Sequence, residues 1–412
     1  MQKRKRIRIF LSLLLFLGVI SNHLPETSTQ YLYAQSELSE KELYSTTCAL
    51  MDGYSGRILF GKKETTPRAN ASTTKILTCI IALEEAKPDE LVTASRRAVR
   101  QPKVRLGMKE GQKYKMKDLL YCLMLESYND CAVAIAEKVG GSVEKFAEKM
   151  NQKAKEIGCK DSYFITPNGL DEKDKSDYHH TTARDLCKIM QYCVWESSQK
   201  DLFLKITQRK QYTFSDEQSN TYVLNNHNQL LNTMQGAISG KTGFTADAGY
   251  CYVMAYEREG KRFCVALLGC GWPNQKNYKW KDAKKIIDFA VETFKCCTLY
   301  SFPPQSGIKK YGSYHGQASW LKWKKPILLQ PYIHPPEKIK RYMVKDTDRI
   351  RYRITSTKKE KEKGKEEIQI GRYQIFLGTE CVENYEVYVN QTLKEWNLWD
   401  ILRLVVGTFL LS

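Results

Sequence analysis

Ser72 stands three residues before Lys75 in "NASTTKILTC" (70–79), at the mouth of an apolar run. A hydroxyl with an amine one helical turn away can be a nucleophile with its own base, because both side chains fall on one helix face. The common alternative is a helix N-cap. The spacing also recurs at Ser142/Lys145, Ser197/Lys200, Ser306/Lys309, Ser319/Lys322 and Ser356/Lys359. The setting separates Ser72 from the others. The run "TTKILTCIIALEEA" is apolar on nearly every helical face, so it should be buried and carry Lys75 with it. Burial or a cationic neighbour lowers a lysine pKa and makes it a usable base. A helix N-terminus also favours negative charge developing on the serine oxygen.

Two further motifs follow in order. Ser127-Tyr128-Asn129 is a polar triplet at the junction of two apolar helical patterns, and Lys241-Thr242-Gly243 lies in "SGKTGFTADAGY", where a strand begins. Ser-x-x-Lys, a Ser-x-Asn triplet and Lys-Thr-Gly together form the signature of penicillin-interacting serine enzymes. No Cys-x-x-Cys or His-Glu-x-x-His is present, and "KCCTL" lacks metal-ligand spacing.

The chain resembles the low-molecular-mass penicillin-binding proteins that are serine-type D-alanyl-D-alanine carboxypeptidases, peptidase family S11. The likeness extends through "ASTTKILT", "LLYCLMLESYNDCAVAIAE", "TPNGLD", "HHTTARDL", "NNHNQLL", "GKTGFTADAGYC" and "KDAKKIIDFA", over about residues 40–300. The family most often has glycine where this chain has Tyr128. The resemblance implies that Ser72 is acylated, with Lys75 as its base and Ser127 relaying the proton to the leaving amine. Asn129 would hold the substrate amide and Lys75, and Lys241 and Thr242 in the Lys241-Thr242-Gly243 strand would receive the terminal carboxylate. The N–H groups of Ser72 and Phe244 would form the oxyanion hole. The implied substrates are peptidoglycan stem peptides ending in D-Ala-D-Ala, with β-lactams acylating the same serine. No metal or cofactor is implied, and His179, His180 and His227 are expected to be structural. A class A-like β-lactamase shares the motifs, but no fast deacylation base is evident in the sequence. An endopeptidase or transpeptidase of the same family is a second alternative, and a non-catalytic envelope binding protein a third.

The elements that must position these residues read as one α+β unit: strands at both ends, "CALMDGYSGRILFG" and 249–270, with apolar helices between and a helix at 279–296. The resemblance implies a β-lactamase/transpeptidase-like catalytic domain, an antiparallel sheet flanked by a helical cluster, over residues 35–300. Residues 301–391 read as a small β-rich domain, with the charged run "TKKEKEKGKEE" as a hairpin tip. Residues 392–412, "WNLWDILRLVVGTFLLS" and the residues before it, suit an amphipathic helix at a membrane surface or one packed on the β domain.

"MQKRKRIR" followed by "IFLSLLLFLGVI" has signal-peptide form, with cleavage after Ser21 or Ala34; an uncleaved anchor is the alternative. The net charge is +19; residues 1–34 account for +4 of it, which leaves +15. An exported basic protein meets the polyanions of the envelope and the outer face of the membrane rather than nucleic acid. The 13 cysteines are an odd number. Several sit within apolar helical patterns, so buried thiols are expected rather than a disulfide framework.

Overall fold

The computed structural model describes residues 38–299, 314–315, 326–327, 332–334, 340–356 and 367–390. Within it, β1 (Thr47–Asp52) is buried at every position. A strand reaches that state only where both faces of its sheet are covered. Successive side chains point opposite ways, so Ala49 and Met51 enter one apolar cluster while Cys48 and Leu50 enter another.

β1 forms a hairpin with β2 (Ile58–Lys62) on one side. The other three strands come from far along the chain: β3 (Ala237–Thr245), β4 (Gly249–Arg258) and β5 (Lys261–Leu268). β1 pairs antiparallel with β5, from Thr47 opposite Leu268 to Asp52 opposite Phe263. The sheet order is β2-β1-β5-β4-β3, all neighbours antiparallel, with β3 at the edge.

One face packs on a helical cluster: α1 (Lys75–Glu85), α2 (Met116–Tyr121), α3 (Asn129–Gly140), α4 (Val143–Ile157) and α5 (Ala183–Gln191). The other face packs on α6 (Tyr278–Thr293). This is the α+β architecture expected. α1 is buried from Lys75 to Leu83, as its all-round apolar pattern requires. α4 is amphipathic, starting where the Ser142 hydroxyl accepts from the Lys145 amide and stopping at Gly158 in the left-handed region.

α6 is shorter than the sequence pattern suggests. It stops at Thr293, and Phe294–Thr298 forms β6, paired antiparallel with β7 (Arg341–Lys345). The partner strand decides this: Phe294 and Met343 are both buried in the α6 cluster, a contact no local pattern encodes. Three further strands, β8 (Ile350–Ser356), β9 (Glu367–Leu377) and β10 (Glu380–Asn390), form a sheet with Tyr332–Ile333 at its other edge. Tyr342, Tyr373, Ile375 and Leu377 give it a core of its own.

All 13 cysteines are unpaired, most of them buried, as the helical patterns suggested. The leader at 1–34, the terminal helix at 392–412 and nearly all of the charged run lie outside the described residues. Among the described residues no helix is long and apolar enough to cross a membrane.

The β-rich segment is fastened to the five-stranded sheet by buried polar contacts. Asp52 is fully buried and accepts from the amides of Met343 (2.9 Å) and Tyr54 (2.9 Å). Arg57 donates to the Met343 carbonyl at 2.7 Å and pairs with Asp348 at 3.4 Å. Asp52→Ala strands the buried Met343 amide and is expected to lower unfolding stability by about 1–3 kcal/mol. A urea unfolding curve with an unchanged midpoint would contradict that role.

Candidate active site

Ser72 lies in a 3-10 turn, Ala71–Thr74, that leads directly into α1. The turn is closed by its own side chains. Asn70 Nδ2 donates to Thr73 Oγ1 (3.1 Å) and Thr74 Oγ1 (2.8 Å), and the Thr74 hydroxyl donates to the Ala71 carbonyl (2.9 Å). No side chain accepts from an amide as an N-cap at this helix start; these bonds brace the turn. Ser72 Oγ lies instead 2.8 Å from Lys75 Nζ and 3.4 Å from the Asn168 carbonyl oxygen.

Lys75 is fully buried. Its Nζ is also 2.8 Å from Asn129 Oδ1 and 2.8 Å from the Asn168 carbonyl. Burial without a carboxylate partner pushes its pKa well below the ordinary lysine value, and the charge of Lys241 lowers it further; Cys131 and Asp130 oppose more weakly. A neutral amine has two N–H donors and one lone pair. The two carbonyl oxygens of Asn129 and Asn168 take the donors, which leaves the lone pair facing the Ser72 hydroxyl. That is the arrangement a general base needs.

Asn129 is held in turn: its Nδ2 donates to Pro102 O (3.2 Å) and its amide to Val104 O (2.8 Å). The next residue, Asp130, is fully buried and accepts from the amides of Leu106 (2.9 Å), Gly107 (2.9 Å) and Met108 (3.4 Å). The junction 127–129 is thereby fixed to the loop 102–108. Ser127 itself adopts φ 65°, ψ 29° after a π-helical turn at Cys122–Glu126. Positive φ in a non-glycine residue concentrates at functional sites, and here it turns the hydroxyl away from the helices.

Across the cleft, Lys241 Nζ donates to Ser127 Oγ and to the Thr242 carbonyl, both at 2.9 Å. Burial lowers the Lys241 pKa to about 7. Thr242 is half-buried, and Phe244 is 42% exposed with its ring 4.6 Å from that of Tyr250. The Lys-Thr-Gly motif lies in the second half of β3 rather than at its start. Gly243 is required there: a Cβ would come within 2.8 Å of the Ser72 amide nitrogen and 3.0 Å of the Thr73 nitrogen. The strand backbone thus reaches the Ser72 turn, and as an edge strand β3 offers unpaired peptide groups to an extended ligand.

Contacts bring Ser72, Lys75 and Asn129 together, join Lys241 to Ser127, and set Gly243 against the Ser72 turn; Thr242 and Phe244 flank Gly243 on β3. The structure adds a ninth contributor, the carbonyl of Asn168. Its loop comes close to the nucleophile because Gly169 has φ 79° and a Cβ there would lie 1.9 Å from Ala71 O. His179 and His180, expected to be structural, are buried, while His227 is exposed and bonds Glu126 at 2.7 Å.

A family model, Peptidase_S11, D-alanyl-D-alanine carboxypeptidase, matches residues 34–271. The chain belongs to this family. Among its relatives is the D-alanyl-D-alanine carboxypeptidase DacF of Bacillus subtilis, 28% identical over 270 residues, 64% of this chain and 66% of that one. The chain thus spans just under two thirds of that relative's length. The crystal structure of DacD from Francisella tularensis covers 87% of this chain and 94% of its own with a TM-score of 0.66; at 22% identity it shows a shared fold. Penicillin-binding protein D2 of Listeria monocytogenes, solved in its ampicillin-bound form, is 26% identical, covers 60% of this chain and 97% of its own, and has a TM-score of 0.52.

For this S11 chain, Lys75→Ala is expected to slow acylation of Ser72 by benzylpenicillin about 10²–10⁴-fold with the fold retained. Intact-mass kinetics at near wild-type rate would show that another residue is the base.

Proposed function

We propose that the chain is a serine D-alanyl-D-alanine carboxypeptidase that removes the terminal D-alanine from peptidoglycan stem peptides, and that β-lactams acylate the same serine. The observation that supports this most is the Ser72–Lys75 pair, held without a counter-charge opposite Lys241, Thr242 and Ser127.

Ser72 Oγ attacks the carbonyl carbon of the penultimate residue and gives its proton to Lys75 Nζ. The amides of Ser72 and Phe244 hold the developing oxyanion. Ser127, already bonded to Lys241, relays the proton held by Lys75 to the nitrogen of the departing D-alanine; the C–N bond breaks, and Lys75 returns to the neutral amine. Water then adds to the acyl carbon, its proton returns by way of Lys75 to Ser72, and the shortened stem leaves as its acid. The loop carrying Asn168 offers a carbonyl to Ser72 and Lys75, while its carboxylate, Asp171, accepts from Thr245 at 3.0 Å and bonds neither of them, which favours this reading over a β-lactamase with a dedicated deacylation acid. Tyr128, partly buried against the helical core, lines the wall where the family most often has glycine.

The family acts on the cell wall, and the enzyme works outside the cytoplasm. The finer placement rests on sequence: residues 1–34 as a removed leader, and residues 392–412 holding the enzyme to the outer face of the membrane.

Lys241 and Thr242 bind one carboxylate by charge-assisted hydrogen bonds. Amidating the terminal D-alanine keeps the scissile bond and removes that charge. Hydrolysis of the amide is expected to be roughly ten- to a hundredfold slower, from about 1.5–3 kcal/mol of lost interaction. Lys241→Gln should lower activity on the acid and erase most of the preference. Equal turnover of acid and amide by the unaltered enzyme would refute carboxylate recognition.

A further inference from the structure

The Asn168 carbonyl orients the Lys75 amine, so whatever fixes its loop also fixes the base. Pro167 O accepts from Thr78 Oγ1 at 2.6 Å, and the Asn168 side chain accepts from the Leu170 amide (3.1 Å) and donates to Gln101 Oε1 (2.9 Å). The start of the loop has a different support. His179 Nδ1 accepts from the amides of Ile165 (3.0 Å) and Thr166 (3.3 Å). Its Nε2 lies 2.9 Å from Thr74 Oγ1.

These contacts determine the tautomer. A nitrogen that accepts from two amides carries no proton, so the hydrogen is on Nε2 and is donated to Thr74. The Thr74 hydroxyl then donates to the Ala71 carbonyl, in the turn that carries Ser72. The ring is buried, with Phe164 edge-on at 5.6 Å. Burial, and secondarily the neighbouring His180, hold its pKa down to about 3, so it stays neutral at ordinary pH.

We propose that His179 is a positioning residue for the general base: it ties the loop that supplies the Asn168 carbonyl to the turn that carries Ser72. The ring is a spacer with one end on each segment. Without it the Asn168 carbonyl loses its fixed distance from Lys75, the amine can rotate, and water reaches it. Water favours the charged amine, so the base should require a higher pH to be neutral. The charged and titratable groups facing Lys75 are Lys241 from β3 and Asp130 and Cys131 from α3; none of them touches His179. This proposal rests on Lys75 being the base.

The test is the pH dependence of benzylpenicillin acylation for the full chain and for His179→Leu, His179→Asn and Thr74→Val. His179→Leu removes both anchors, His179→Asn keeps an acceptor near Nδ1, and Thr74→Val removes the far anchor together with the Asn70 and Ala71 bonds of the Ser72 turn. His179→Leu is expected to move the acid limb upward by about one pH unit and to slow acylation at neutral pH on the order of tenfold or more. His179→Asn should recover part of the loss, and Thr74→Val should shift the limb in the same direction. Preference for the terminal acid over its amide should not change, because Lys241 and Thr242 lie across the cleft. An unmoved limb in His179→Leu overturns the proposal; if that variant does not fold, an unmoved limb in Thr74→Val overturns it instead. Lys75→Ala run alongside separates the two assignments: normal acylation there refutes the base itself, whatever His179 does.

Discussion

The site depends on one costly arrangement, a lysine amine buried among three oxygens with no carboxylate to balance it. Taking an ammonium out of water is expensive, and a protein commonly avoids the cost by leaving the group neutral. Lys75 meets Ser72 Oγ, Asn129 Oδ1 and the Asn168 carbonyl at 2.8 Å each. The two carbonyl oxygens satisfy a neutral amine's two donors and direct its lone pair at the Ser72 hydroxyl. Lys241, buried nearby, adds repulsion that favours the same outcome. On the mechanism we propose, the feature that would be a defect in an ordinary core is the source of reactivity.

Much of the fold can be understood as support for that arrangement. The sheet joins strands from both ends of the catalytic segment, and this places the edge strand β3 beside the turn before α1. Gly243 and Gly169 let backbone approach the nucleophile from two sides where a Cβ would collide. Asp130 and His179 are buried polar groups that satisfy loop amides rather than react. Each acts on a neighbour of Lys75: Asp130 secures the loop that holds Asn129, and His179 the loop that holds Asn168.

The parts legible in the sequence were those with a local pattern. The helical run behind Ser72 announced burial, and burial distinguished this serine from the others with the same spacing. Ser142, by contrast, caps α4. The polar triplet at 127–129 stood out because it interrupts apolar helices, and the hairpins at 48–61 and 249–270 were visible from their turns. The Asn168 carbonyl was not legible, because any residue has a carbonyl and its role comes from where the loop lands; "TPNGLD" stood out only as a family landmark. His179 looked like a polar-loop histidine because its burial is created by contacts with Phe164 and Thr74, far away in sequence. The end of α6 at Thr293 was set by pairing with β7, again from a distant segment.

The most direct test of a neutral Lys75 is nitrogen NMR of the enzyme with isotope-labelled lysine side chains, titrated with pH and assigned by loss of the signal in Lys75→Arg. An uncharged amine resonates apart from the ammonium signals of the surface lysines. One lysine resonance belonging to position 75 should be in the neutral form at pH values where the surface lysines remain charged, and it should become protonated only on acidification. A Lys75 signal that stays in the ammonium form up to the pH at which surface lysines titrate would contradict the mechanism.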